Sequence, residues 1–142
     1  MRFFDKNNKL YIDIVVFLYF ENITMRKIYY LKTCDTCLKI IKSLPKTDGF
    51  VFQDIKEQQI TVKQLEEMHQ LAGSYEVLFS KRAKLYKEMG LKDEKLSETD
   101  FKRYILEHYT FLSRPVIIID NKIFVGNSPK VVQQAIDFLS NE

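Results

Sequence analysis

Two cysteines in 142 residues cannot build the disulfide framework on which small secreted scaffolds depend. Two histidines, His69 and His108, stand far apart and offer no local metal-ligand spacing. Four glycines and three prolines leave no room for a collagenous or low-complexity tract, and no internal repeat is visible. Neither sign of charge dominates: 22 basic residues face 19 acidic ones, giving a net charge of +3. The cations are scattered rather than clustered, which argues against a direct nucleic-acid surface. A membrane-spanning run is also missing. The strongest apolar stretch, LYIDIVVFLYF from Leu10, is too short to span and contains Asp13.

What is present is the composition of an ordinary globular protein, 46% hydrophobic and 29% charged. The length suits one domain able to bury its own core. With so few cysteines, the reducing cytoplasm is the expected compartment, and there a close cysteine pair is more often functional than structural. The first 24 residues stand apart. They imitate a signal peptide, but ENITMRK follows the apolar run in place of a small-residue cleavage site. Two readings stay open for them. Their β-branched and aromatic content suits an extra strand. Alternatively they are an upstream extension, with a single functional domain over residues 25–142.

From there the pattern is regular. KIYYLK (27–32) reads as a strand, and a helix is expected from about Asp35 to Leu44. FVFQDI (50–55) is a second strand. Thr61 with Gln64 has the form of a capping box, opening a helix that stops at Gly73. A helical stretch broken by turns is expected over 77–89, ending at Gly90. Ser97 with Asp100 opens a third helix through Leu106. VIIID and KIFVG flank an Asp120-Asn121 turn as a hairpin. Ser128-Pro129 then opens a last helix. This order predicts an early βαβ unit and a late ββα unit sharing one four-stranded mixed sheet with flanking helices. That is a thioredoxin-like α/β fold, with the helical block inserted between the two units.

Both cysteines, Cys34 and Cys37, fall in LKTCDTCLKII, between the first strand and the first helix of this pattern. A thiolate is the reactive form, and the free N–H groups and dipole of a helix N-terminus favour it. Cys34 at the junction is therefore the expected nucleophile. Cys37, one turn in, is placed to resolve an adduct on Cys34 as a disulfide. Two buried, unreactive thiols are the bland alternative. A structural zinc site needs four ligands and this motif supplies two, so no metal is expected. Both histidines read as surface residues. Arg114-Pro115, directly before a strand, is the second feature. A cis-proline there would face the dithiol across the sheet edge. Arg114 beside it could bind an oxyanion bidentately or help hold a thiolate.

YLKTCDTC, LFSKRAKLYKEMGL, FLSRPVIIID and IFVG together resemble the arsenate reductase (ArsC) family, which also contains the Spx regulators. They follow the family's order and spacing and cover most of residues 25–142. The resemblance implies a thioredoxin-like fold with a helical insert. It also implies a small oxyanion or thiol substrate and an external reductant, either glutathione with glutaredoxin or thioredoxin. Cys34 matches the family's catalytic cysteine, and Arg114 and Pro115 match its arginine and cis-proline. A second family arginine would fall near Ser80, where this chain offers Lys81 and Arg82 just beyond. A third would fall near Gly126, and no arginine follows Arg114. The CxxC motif and the pattern Ser80, Arg82, Lys84 resemble the Spx branch, which implies RNA polymerase as an alternative partner.

Overall fold

The computed structural model describes residues 9–23 and 25–142. Its frame is a four-stranded sheet built from β1 (Arg26–Tyr30), β2 (Val51–Asp54), β3 (Val116–Ile119) and β4 (Lys122–Val125), in the order β2-β1-β3-β4. β2 lies parallel to β1, whereas β3 is antiparallel to both β1 and β4. The parallel pair requires a crossover, which α2 (Asp35–Ser43) supplies. The antiparallel pair needs only the tight turn at Asp120, which sits in the left-handed region at φ 57°.

β3 is central and every one of its residues, VIII, is buried. A strand covered on both faces needs no polar alternation, which is why this run is continuously apolar. Val116 and Ile118 face one cluster with Tyr29, Leu65, Met68 and the helical insert. Ile117 and Ile119 face the other, with Ile40 of α2, Leu44 just past its end, and Ala135 and Leu139 of α7 (Pro129–Ser140). The thioredoxin-like arrangement read from the sequence is the one observed.

Between the halves lie α3 (Val62–Ala72), α4 (Tyr75–Leu78), α5 (Lys84–Glu88) and α6 (Glu98–Glu107). Both expected capping boxes close. Gln64 N–H donates to Thr61 Oγ1 at 3.1 Å and Thr61 N–H to Gln64 Oε1 at 3.1 Å. Ser97 and Asp100 repeat the exchange at the head of α6. The stretch 77–89 is helical and broken by turns, as expected, its pieces being α4 and α5. Phe79 leaves the helix to form a β-bridge with Leu112, because its ring is packed among Phe101, Phe111 and Tyr86.

The segment before β1 corrects one expectation. Lys9–Ile23 forms a helix, α1, not a strand. β-propensity depends on a pairing partner, and a helix satisfies its backbone groups internally. Leu10, Ile12, Ile14, Val15 and Val16 are exposed on it. The readings of residues 1–8 and 24 lie outside the described residues. Among the described residues, no helix is long and apolar enough to cross a membrane.

Candidate active site

Strand direction brings the distant segments together. Because β3 runs against β1, its first residue Val116 pairs with Tyr29, near the end of β1. The residues just past β1 therefore meet the residues just before β3. Val125 at the end of β4 pairs with the same Val116. The dithiol, Arg114-Pro115 and the start of α7 thus converge on one end of the sheet.

Cys34 is the N-cap of α2, in extended backbone geometry. Its N–H donates to Leu31 O and its own carbonyl accepts from Leu38 N–H, both at 3.1 Å. The Cys34 side chain makes no capping hydrogen bond to the first turn, so it leaves those N–H groups to a charge at this end. Cys34 is half-exposed, Cys37 is buried, and neither is in a disulfide. Burial pushes the Cys37 thiol up to about 11, reinforced by a hydrogen bond and by repulsion from Cys34. A backbone hydrogen bond at Leu31 and the charge of Arg114 pull the other way. Among the described residues, no group of three or more His, Cys, Asp or Glu side chains could hold a metal ion.

The Arg114-Pro115 peptide is cis, and Pro115 is buried while Arg114 is half-buried. Arg114 Nη1 donates to the carbonyls of Thr110 and Leu112, both at 3.2 Å. Its Nε is buried and, among the described residues, has no hydrogen-bond partner. One edge of the guanidinium is thus anchored to the backbone. The edge that carries Nε is the fork that commonly grips a carboxylate or oxyanion through two parallel bonds.

Beside Arg114 opens a groove of about 510 Å³. The insert forms one wall with Glu76, Ser80, Lys81 and Arg82, and the opposite wall runs from Val125 to Ser128. Ser80 N–H donates to Phe111 O at 2.7 Å and Ser113 N–H to Leu78 O at 2.8 Å, fixing the insert against the approach to β3. Lys81 and Arg82 are both exposed on the wall. Lys81 pairs with Glu76 at 2.8 Å, while Arg82 has no ion pair among the described residues. Ser80 and Gly126 line the same groove as Arg114. Cys34 and Cys37 lie outside its lining, and the charge of Arg114 links groove to dithiol.

Sequence reasoning did not assign Glu76, Ser113, Asn127 and Ser128 to the site, because they come from three separated stretches that only the fold brings together. It also placed His108 on the surface. The side chain is half-buried and accepts a hydrogen bond from Thr110 N–H. Its position just after a helix pattern was the signal that could have revealed a cap. His69 is half-exposed and stacks on Tyr75 with centroids 4.0 Å apart.

The profile of the ArsC family matches residues 29–135, from within β1 to within α7. The Global transcriptional regulator Spx 2 of Bacillus anthracis is 24% identical over 110 residues, spanning 75% of this chain and 83% of that protein. Among solved structures, an arsenate reductase from Vibrio cholerae superposes with a TM-score of 0.62 at 22% identity, over 78% of this chain and 98% of the other. An arsenate reductase (ArsC) related protein from Brucella melitensis gives 0.57 at 21%, over 78% and 92%. These structural likenesses speak for the fold.

Proposed function

Because the chain belongs to the ArsC family, we propose that it is a thiol–disulfide oxidoreductase in which Cys34 attacks an oxidised substrate and Cys37 resolves the product. The asymmetry of the pair carries this reading: Cys34 half-exposed at a helix N-cap, Cys37 buried one turn behind it with a raised pKa. The substrate is a small oxyanion or an oxidised thiol. In the first step the Cys34 thiolate bonds to the substrate's arsenic or sulfur atom and displaces hydroxide or a thiolate. In the second, Cys37 loses its proton and attacks Cys34 Sγ. The S–S bond forms, the bond to the product breaks, and two electrons leave with the product. For arsenate, one arsenate and two thiols give one arsenite, one disulfide and one water. Glutathione with glutaredoxin, or thioredoxin, then supplies two electrons in the cytoplasm to restore the dithiol.

The order of steps follows from the electrostatics. Two of the influences that raise the Cys37 pKa come from Cys34. Adduct formation removes the Cys34 charge and its hydrogen bond, while the attraction of Arg114 remains. Cys37 therefore becomes a better nucleophile only after Cys34 has reacted. Arg114 stabilises the anionic substrate or leaving group through its Nε edge, and Pro115 holds the adjoining backbone beside the sulfur. Arg82 and Lys81 offer further positive charge on the groove wall.

A second reading has its own observation. Ser80 and Gly126 stand in the groove where family arginines would fall, so the cradle for a multiply charged oxyanion is reduced. That favours a redox switch of the Spx type, whose dithiol state controls binding to RNA polymerase. The test is arsenate-dependent NADPH oxidation, coupled in parallel to glutathione–glutaredoxin and to thioredoxin–thioredoxin reductase. Turnover that vanishes in Cys34→Ser supports the reductase and identifies its donor. Silence in both couplings, with polymerase capture that is lost on oxidation, supports the switch instead.

A further inference from the structure

Arg114, which lines the groove, is hydrogen-bonded to a turn that a histidine caps. His108 ends α6, donating its backbone N–H to Tyr104 O at 3.1 Å, and it caps the short 3-10 turn Tyr109–Phe111. Caps of this kind are usually Ser, Thr, Asp or Asn. Here the imidazole does the work: Nδ1 accepts from Thr110 N–H at 3.3 Å and lies 2.7 Å from Thr110 Oγ1. A backbone N–H can only donate, so Nδ1 is the unprotonated nitrogen and the ring is the Nε2–H tautomer. Stacking on Tyr109 and an edge contact with Phe111 fix the ring plane.

The turn so fixed serves both sides of the groove. The Thr110 carbonyl accepts from Arg114 Nη1, and the Phe111 carbonyl accepts from Ser80 N–H. Thr110 is thus bonded to His108 through its amide N–H and to Arg114 through its carbonyl. Rotating that residue would remove one of the two anchors of Nη1, leaving Leu112 O alone to hold the guanidinium and loosening the direction of its Nε edge. We infer that His108 is a positioning residue for the candidate site, aiming Arg114 through Thr110. This rests on the reading that Arg114 serves the dithiol.

The experiment compares His108→Ala, His108→Asn, Arg114→Ala and the His108→Ala/Arg114→Ala double variant. The readouts are the rate of thiol–disulfide exchange and the ¹⁵N NMR order of the Arg114 Nε–H group. Asn retains an acceptor suited to a cap, so the Asn variant should keep both readouts near wild type. His108→Ala should lose the ordered Nε–H signal and slow exchange by up to the loss seen in Arg114→Ala, about tenfold or more for a hydrogen bond to a charged group. The double variant should be no slower than Arg114→Ala alone, because one residue acts through the other. Additive losses, or an Nε–H that stays ordered in His108→Ala, would overturn the inference. If His108→Ala fails to fold, ¹⁵N shifts of the wild-type imidazole decide: a proton on Nδ1 would contradict the assignment. If Arg114→Ala exchanges at the wild-type rate, the functional reading of Arg114 fails. The Nε order in His108→Ala still judges the positioning.

Discussion

At the residue scale the two thiols differ by where one helical turn puts them. Cys34 meets solvent at the N-cap, and Cys37 is 1% exposed beneath it. A thiol whose pKa rises on folding favours the folded state in its protonated form. That stabilisation is complete below the unfolded value near 8.5 and is lost as pH climbs towards about 11. The reduced protein should therefore lose stability between these limits, and Cys37→Ser should lose less over the same range. Paired urea unfolding curves at pH 8 and pH 10.5 measure the difference; parallel losses in the two proteins would remove Cys37 as the cause. The roles of such single residues were unevenly legible. CxxC and Arg-Pro are compact motifs, whereas the capping by His108 depends on where α6 ends, which sequence periodicity locates only loosely.

At the element scale, legibility tracked how local the signal was. Thr61 with Gln64 and Ser97 with Asp100 announce their helices within four residues, and both boxes form. Gln64 has a second task, exchanging hydrogen bonds at 3.0 and 3.2 Å with Gln53, a buried polar residue of β2. Thr61→Ala should cost about 1 kcal/mol, as cap losses do. Gln64→Ala should cost more, since it also leaves the buried Oε1 of Gln53 without a partner. Denaturant midpoints of the two variants test that order, and equal losses would reduce Gln64 to a cap alone. The turns that break the insert were legible, but the place of the break is tertiary, set by the aromatic cluster around Phe79 and its bridge to Leu112. The segment Lys9–Ile23 misled in the other direction, its β-branched residues entering a helix.

At the scale of the whole molecule, the antiparallel placement of β3 against β1 creates the site. The order of elements was enough to anticipate that sheet, because few topologies connect a βαβ and a ββα unit. The groove was less legible, since its walls join residues as far apart in sequence as Glu76 and Ser128. Its composition makes a prediction about anion selectivity. Ser80→Arg would place a cation in the groove that Arg114 lines, where the family resemblance implies an arginine. Affinity for sulfate or arsenate, measured by titration calorimetry, should rise about tenfold. Gly126 behaves differently. Its φ of 91° is a conformation that side chains rarely adopt, so Gly126→Arg should destabilise the fold by about 1 kcal/mol. No gain from Ser80→Arg would mean that the groove does not take the anion.

The division of labour between the thiols is the centre of the account, and trapping tests it most directly. Reduced Cys34→Ser and Cys37→Ser proteins are mixed with a small disulfide at neutral pH and read by intact-protein mass spectrometry. Cys37→Ser should accumulate a stable mixed disulfide on Cys34. Cys34→Ser should remain largely unmodified, and the wild type should proceed to the Cys34–Cys37 disulfide. A mixed disulfide that accumulates on Cys37 in Cys34→Ser, with none trapped in Cys37→Ser, would contradict the assignment.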